Sequence, residues 1–387
     1  MVFASRIPLR NVVFLRSTCT VHTTVKTMSR THARDAAIAR WISKGAIAGI
    51  LATHSRGVDR ADANLIQAAY HPDAAVDYGF FAGPARELAA ILAGAQKGQP
   101  VTLHRTSNMW IKVEGESARS ESYVLAYAEQ RAESSGTQRF IGGRYLDRHE
   151  RRAGEWRLGH RRYVMDFNIN RESTTNWQDP PVGLAIFAPR GGHGAADAGR
   201  VLLAHHAASF QYQEDSAMTT LKTDALLDQA LSKEALHDLN MAYARAVDRA
   251  DADLMASVFH PDSSVVTGIF NGSGPEFAVK ITSFVRENLE RCFHSVANEW
   301  YEVRGDRAVG ESYVIANATA GGRDMLTGGR YIDAYQRRDG VWKMKSRTFV
   351  VDWTNTQPTS FEGGGMYASL TTRGCFGNSD PIYAFWV

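Results

Sequence analysis

The feature that most constrains this chain is that it repeats itself. Gly57-Val58-Asp59-Arg60-Ala61-Asp62-Ala63 recurs as Ala246-Val247-Asp248-Arg249-Ala250-Asp251-Ala252, and Tyr70-His71-Pro72-Asp73 recurs as Phe259-His260-Pro261-Asp262, both 189 residues on. His104 and Asn108 return as His294 and Asn298, and Glu121-Ser122-Tyr123-Val124 as Glu311-Ser312-Tyr313-Val314, 190 residues on. Gly142-Gly143-Arg144-Tyr145, Trp156 and Arg161 return as Gly328-Gly329-Arg330-Tyr331, Trp342 and Arg347, 186 residues on. So many ordered matches at an offset that drifts by only a few residues are a duplication with small loop insertions and deletions. A chain of 387 residues is long enough for two such domains.

Each copy reads the same way. Ile38, Trp41, Ile42, Ile47, Ile50 and Leu51 keep helical spacing across a helix from about Asp35 to Arg60, matched by Ala235 to Arg249. Asp62 and Asp251 are good N-caps for a short second helix that ends near the His-Pro-Asp turn. Gly83-Pro84 and Gly274-Pro275 are expected to open a third helix, with Pro at its first position. Extended stretches follow at 101–113, 118–129, 139–149 and 156–169, separated by turn signals such as Glu114-Gly115 and Ala153-Gly154. Helices followed by a run of antiparallel strands give an α+β fold. The expected organisation is a tail (1–34), a first domain (35–200), a linker (201–225) and a second domain (226–387). From about Asn170 to Ala225 the pattern breaks down; Asp179-Pro180-Pro181 and Arg190-Gly191-Gly192-His193-Gly194 are loop-like, and no Gly-Lys-Ser/Thr follows to make a phosphate loop.

Charge narrows the function. The net charge is +3, but Arg6, Arg10, Arg16, Lys26, Arg30 and Arg34 all precede the first acidic residue, Asp35, so the remainder is net negative. It offers no net basic field for a phosphate backbone, and no nucleic-acid partner is expected. The Arg-, Ser- and Thr-rich tail suits a mitochondrial transit peptide, or else Met28 is the true start; the compartment is then mitochondrial or cytoplasmic. No apolar run approaches the roughly 18 residues a membrane span needs. Cys19, Cys292 and Cys375 are odd in number, scattered and without a CxxC, which argues against a disulfide framework. Cys292 precedes His294 by two, but Thr102 holds that place in the other copy, so Cys292 is given no catalytic role. No His-Glu-x-x-His or similar ligand spacing appears among the thirteen histidines, and no Gly-x-Ser-x-Gly elbow; neither metal nor cofactor is expected.

Three residue types carry possible chemistry in both copies. With period-two alternation, His104, Asn108 and Trp110 share a strand face, as do His294, Asn298 and Trp300. Such a histidine is either a core residue or an acid–base group. Asp59 and Asp248 lie near the C-terminal end of a helix, where the dipole disfavours a carboxylate, so a cation or an N–H donor is expected to hold them. Either that, or each simply starts a turn. Arg161 and Arg347 sit on the last strand, sharing faces with Tyr163 and with Phe349. An arginine in an apolar row is costly unless paired, so it meets a substrate anion, meets the Asp of the same site, or faces solvent. His71 and His260 are read as structural parts of their turns.

These motifs, with Arg337-Arg338-Asp339-Gly340-Val341-Trp342 and its counterpart Arg151-Arg152-Ala153-Gly154-Glu155-Trp156, resemble the SnoaL-like domain, of the cone-shaped α+β superfamily that includes nuclear transport factor two. The resemblance covers roughly 35–169 and 224–354. It implies two cone-shaped domains, each of three helices packed on a curved, mostly antiparallel sheet. Within that superfamily, hexachlorocyclohexane dehydrochlorinase and scytalone dehydratase use an Asp–His dyad. The matching positions are Asp59 with His104 and Asp248 with His294, and the dehydrochlorinase's strand Arg matches Arg161 and Arg347. The aromatic residues that shape the scytalone pocket are not recognisable here.

The resemblance thus implies a cofactor-independent lyase or isomerase. Asp would fix the imidazole tautomer, His would remove a proton and Arg would stabilise an anion, with Asn108, Trp110, Tyr163, Asn298, Trp300 and Phe349 lining the substrate. The partner would be a small, largely apolar molecule, with no membrane involved. The alternative is a non-catalytic ligand-binding or scaffolding module, its two copies forming an intramolecular pseudo-dimer or a homo-oligomer. A third possibility keeps one copy catalytic; matching residue types in both copies speak against it.

Overall fold

The computed structural model describes residues 19–100, 102–131, 136–173, 192–194, 197, 220–268 and 270–386. The expectations for the tail before residue 19 and for the loops at 179–181 and 190–191 fall outside them. The chain divides into two compact units, residues 1–42 and 43–387. Residues 19–42 of the first are helical. The second unit holds both sheets.

In the first copy the order is α1 (Cys19–Asp59), α2 (Ala63–Ala68), β1 (Tyr70–Asp77), β2 (Ala82–Pro84), α3 (Ala85–Gln96), β3 (Leu103–Glu114), β4 (Ser117–Arg131), β5 (Gly136–Arg152) and β6 (Glu155–Glu172). The second copy repeats it as α4 (Thr220–Arg249), α5 (Ala252–Ser257), β7 (Phe259–Val266), β8 (Asn271–Ser273), α6 (Gly274–Asn288), β9 (Arg291–Arg304), β10 (Arg307–Ala320), β11 (Arg323–Arg338) and β12 (Val341–Pro358). A short α7 (Pro381–Phe385) follows. Each sheet has six strands, ordered β2-β1-β6-β5-β4-β3 and β8-β7-β12-β11-β10-β9. All pairs are antiparallel except β1 with β6 and β7 with β12. These are two cone-like α+β domains.

Local chemistry explains the helix starts. Asp62 and Asp251 cap α2 and α5 by accepting from the Leu65 and Leu254 amides at 3.0 and 2.9 Å. Ser273 opens α6 with a full capping box closed by Glu276. Three expectations are corrected. The first helices begin well before the expected starts, at Cys19 and Thr220 rather than near Asp35 and Ala235. The Gly-Pro pairs are not equivalent: Pro84 is the N-cap of α3, whereas Pro275 lies inside α6. His-Pro-Asp is not a turn but the bulged start of β1 and β7, where pairing with β6 breaks between Tyr70 and Ala75. An exposed bulge is where a sheet tolerates proline. His71 and His260 are structural as expected: each Nε2 meets a backbone carbonyl oxygen, of Glu150 or Gln336, at 2.9 Å.

The Gly-Gly-Arg-Tyr motif has a packing cause. The β5–β6 register slips between Gly142 and Gly143, and β11–β12 slips between Gly328 and Gly329. A Cβ on Gly143 would lie 2.5 Å from the Val164 carbonyl oxygen, and one on Gly329 would lie 2.4 Å from that of Val350. The bulge bends the strand around the helices and drops Tyr145 and Tyr331 into the two cores. Gly143→Ala is expected to destabilise the protein by about 1–3 kcal/mol, the usual cost of overpacking, read as a lower urea midpoint.

The two domains are joined by polar contacts that are buried. Asn108 has φ +47°, at a bulge in β3. Its amide donates to the His294 carbonyl oxygen at 2.8 Å and accepts from the Val296 N–H at 2.7 Å. Arg245 donates to Glu121 at 2.6 Å and lies 3.9 Å over the Trp110 ring. Arg144 pairs with Glu121, Asp166 and Asp380, and Arg249 with Asp166 and Asp380. Phe293 packs its ring 4.9 Å from Tyr123 and 5.2 Å from Phe167.

His237 adds a titratable clamp. Its Nδ1 meets Glu299 at 2.5 Å and its Nε2 meets the Met109 carbonyl oxygen at 2.9 Å. Burial pushes this imidazole down, but the Glu299 hydrogen bond and charge outweigh it and lift it to about 9. A folded-state value above the unfolded value of about 6.5 means the clamp's contribution is complete below that pH and fades as pH rises through about 9. The melting-temperature gap between wild type and His237→Asn should therefore shrink steadily across this window.

Candidate active site

The end of α1 meets the start of β3 at one carboxylate. Asp59 Oδ1 lies 2.6 Å from His104 Nδ1 and accepts from the Thr102 hydroxyl at 2.8 Å, while Oδ2 accepts the His104 backbone N–H at 2.9 Å. The second copy repeats this. Asp248 Oδ1 lies 2.6 Å from His294 Nδ1, and Oδ2 accepts the His294 N–H at 2.9 Å. Both carboxylates are buried, and both imidazoles are mostly so. The N–H donors expected for a carboxylate at a helix C-terminus are thus supplied by the histidine it orients. A carboxylate cannot donate, so Nδ1 carries a proton, and in the neutral form of the ring the lone pair is then on Nε2. Among the described residues Nε2 makes no hydrogen bond in either copy. Burial pushes the Asp248 carboxyl up, but His294 and then Arg249 outweigh it and hold it below the usual carboxylate range.

Sequence reasoning set Cys292 aside because Thr102 holds its place. The structure shows one role in two chemistries. Cys292 Sγ lies 3.7 Å from His294 Nδ1, beside the Asp248 carboxylate. Burial and Asp248 push its thiol well above the ordinary range, so it keeps its proton as the Thr102 hydroxyl does.

The arginines are placed differently from expectation. Arg161 and Arg347 are fully buried and do not reach the dyad Asp. Arg161 makes a two-point pair with Asp147 at 2.7 Å for both bonds and lies 3.8 Å over the Tyr145 ring. Arg347 pairs with Asp333 at 2.8 and 2.7 Å, bonds Asn240, and lies between Tyr243 and Tyr331. These pairs hold the interior of each cone. Asp147→Ala should cost about 3–5 kcal/mol, because it strands a buried charge. Glu116→Ala, which breaks the exposed pair with Arg151, should leave the urea midpoint nearly unchanged. Urea denaturation of the two variants checks the contrast.

The expected lining is also corrected. Asn108 and Asn298, at φ +47° and +52°, sit on bulges that break the alternation assumed for their strands. Asn108 and Trp110 therefore serve the contact between domains, and Asn298 and Trp300 face outward, exposed. Tyr163 and Phe349 do line the interiors, near Tyr78 and Tyr145 in one cone and Tyr331 in the other.

Sequence reading missed His54. It is buried, with neither ring nitrogen bonded, and its ring centroid is 5.6 Å from Tyr70 and 5.9 Å from Tyr145. Burial, then Arg161 and His104, push its imidazole well below the ordinary value, so it is neutral. Its counterpart is Tyr243, and that mismatch hid it from a search for repeated types. The first cone is thus the more polar, with His54, Tyr70, Tyr78 and Tyr163 where the second has Tyr243, Phe259, Thr267 and Phe349.

Compared with known proteins, the SnoaL-like domain model matches residues 39–162 and again 228–348. The chain belongs to the SnoaL-like family. Its relatives include the gamma-hexachlorocyclohexane dehydrochlorinase of Sphingobium indicum, 31% identical over 132 residues, which are 33% of this chain and 85% of that protein. Hexachlorocyclohexane dehydrochlorinase 1 of the same species is 29% identical over 30% of this chain and 80% of its own length. Among solved structures, the LinA-type3 dehydrochlorinase of Novosphingobium barchaimii is 26% identical, covering 34% of this chain and 93% of its own, with a TM-score of 0.33. Lyases are therefore among the relatives of this SnoaL-like chain. No helix among the described residues is long and apolar enough to cross a membrane. A cavity of about 420 Å³, away from both dyads, opens between the two sheets at Phe140, Ile169, Leu326 and Asn355.

Proposed function

We propose that this chain is a cofactor-independent lyase that uses each Asp–His dyad to abstract a proton from a small, largely apolar molecule. The observation that carries the reading is the recurrence of the dyad at 2.6 Å in both copies, with Nε2 unbonded each time. Histidine Nε2 takes a proton from carbon, the C–H electrons become a double bond, and the leaving group departs from the neighbouring carbon with its bonding pair. The imidazolium so formed is stabilised by the buried carboxylate and returns its proton to water. The dehydrochlorinase relatives support elimination of this kind, with chloride as one leaving group.

The two cones accept different partners. His54 and the tyrosines of the first offer donors to an oxygen-bearing ring, and the phenylalanines of the second suit an apolar one. Lysis of a panel of chlorinated cyclohexanes and hydroxylated ring ketones, followed by chloride release and new-alkene absorbance, tests the reading. His104→Ala and His294→Ala should reduce turnover unequally across the panel. The double variant should fall by about 10²–10⁴, the usual contribution of a general base. Wild-type turnover in the double variant would end the proposal.

A further inference from the structure

The contact between the two domains is heterologous: different surfaces of the same fold meet. The first domain contributes the outer face of its sheet, with Tyr123, Glu121 and Arg144; further along that face, Leu146 packs on Ile382 and Met165 bridges to Arg373, both from the segment after β12. The second contributes the face of α4 that carries Met241, Arg245 and Arg249, together with Phe293 at the start of β9. Outside the segment after β12, each of these residues has a counterpart in the other copy, and a contact of this kind leaves both counterpart surfaces uncovered.

The exposures show it. Phe293 is 1% exposed, and its counterpart Leu103 is 59% exposed. Tyr123 is 2% exposed and Tyr313 46%. Met241 and Arg245 are buried, and their counterparts Ala52 and Arg56 on α1 are not. The uncovered sheet of the second domain also bears Trp300, Val309 and Ile332, an apolar patch that soluble surfaces rarely leave open.

The charges are laid out alike. At the buried contact Arg245 meets Glu121, and Arg249 meets Asp380 at 3.0 Å. On the uncovered helix face Arg56 takes the place of Arg245, and Arg60 meets Asp197 at 3.0 Å. On the uncovered sheet face Glu311 takes the place of Glu121, half-exposed beside Arg330.

We propose that the sheet face of the second domain receives the α1 face of the first domain of a second copy of this chain. Leu103 would sit on Tyr313 as Phe293 sits on Tyr123, and Arg56 would cover Trp300 and pair with Glu311 as Arg245 covers Trp110 and pairs with Glu121. The occupant follows from continuity: the α1 face repeats the α4 face residue for residue, Ala52 for Met241, Arg56 for Arg245 and Arg60 for Arg249. Because the contact is head-to-tail, each added copy presents a fresh sheet face until a ring closes.

The test is the solution mass of the full chain, by light scattering at micromolar concentration. Wild type should be at least dimeric. Leu103→Asp, which spoils the helix-side face, and Tyr313→Asp, which spoils the sheet-side face, should each give monomers. Both positions are exposed, so both variants should melt as wild type does; Ala52→Glu and Trp300→Asp replace either one that does not. Mixing the two variants in equal amounts should restore a dimer, since one intact pair of faces remains. A monomeric wild type would overturn the proposal, as would variants that leave its mass unchanged or a mixture that stays monomeric. Either of the first two outcomes would mean that some other occupant covers the sheet.

Discussion

One carboxylate in each domain ties the fold to its chemistry. Asp59 and Asp248 end a helix where the dipole works against them. Each is held there by two N–H groups of a single histidine, one from the backbone and one from the ring. The backbone bond anchors the first strand of the sheet to the end of the first helix. The ring bond fixes the tautomer. A donor two residues before the histidine, the Thr102 hydroxyl or the Cys292 thiol, completes the shell around the carboxylate. Removing this group would loosen the helix–strand joint and the imidazole together, so architecture and reactivity are set by the same atoms.

Around that centre the two copies have drifted in opposite directions. The first cone keeps a buried imidazole, His54, with neither ring nitrogen bonded among the described residues, beside Tyr70 and Tyr145. Buried polar atoms without partners are costly and uncommon, and they concentrate where something else is to be bound. The second cone is lined mainly by rings, with Tyr243 stacked on Phe277 at 6.1 Å and edge-on to Phe259 and Tyr331. The Arg–Asp pair beneath each cone is the same, Arg161 with Asp147 and Arg347 with Asp333, and it supplies a rigid, charge-balanced floor. Between the domains, three arginines (Arg144, Arg245 and Arg249) face three carboxylates (Glu121, Asp166 and Asp380). Such a cluster stabilises only while every member stays paired, which makes the contact specific to one register.

Much of this is legible in the sequence because it repeats. The repeat locates the domains, the long strands and the Asp, His and Arg positions. What it hides is what differs between copies or departs from regular geometry. His54 faces Tyr243 and Thr102 faces Cys292, so neither stands out by recurrence. The bulges at Asn108 and Asn298 defeat simple alternation, moving these residues and the neighbouring tryptophans from the expected site to the outer surface of the sheet. The same failure affects His-Pro-Asp, where proline signals a turn but the chain is already in a strand. Arg144 and Arg330 belong to the most regular motif in both copies, yet one is buried between domains and the other is half-exposed. Sequence identity carries no information about which copy of a surface is covered.

The tautomer of His104 and His294 is the most direct measurement. Long-range proton–nitrogen NMR of the full chain, with Asp59→Asn and Asp248→Asn for assignment, reads the protonation of each ring nitrogen. The result expected is a protonated Nδ1 and a bare Nε2 in both histidines at neutral pH, with that preference lost in the matching Asn variant. A protonated Nε2, or a mixture of tautomers that ignores the carboxylate, would contradict the proton-abstracting role assigned to the dyads.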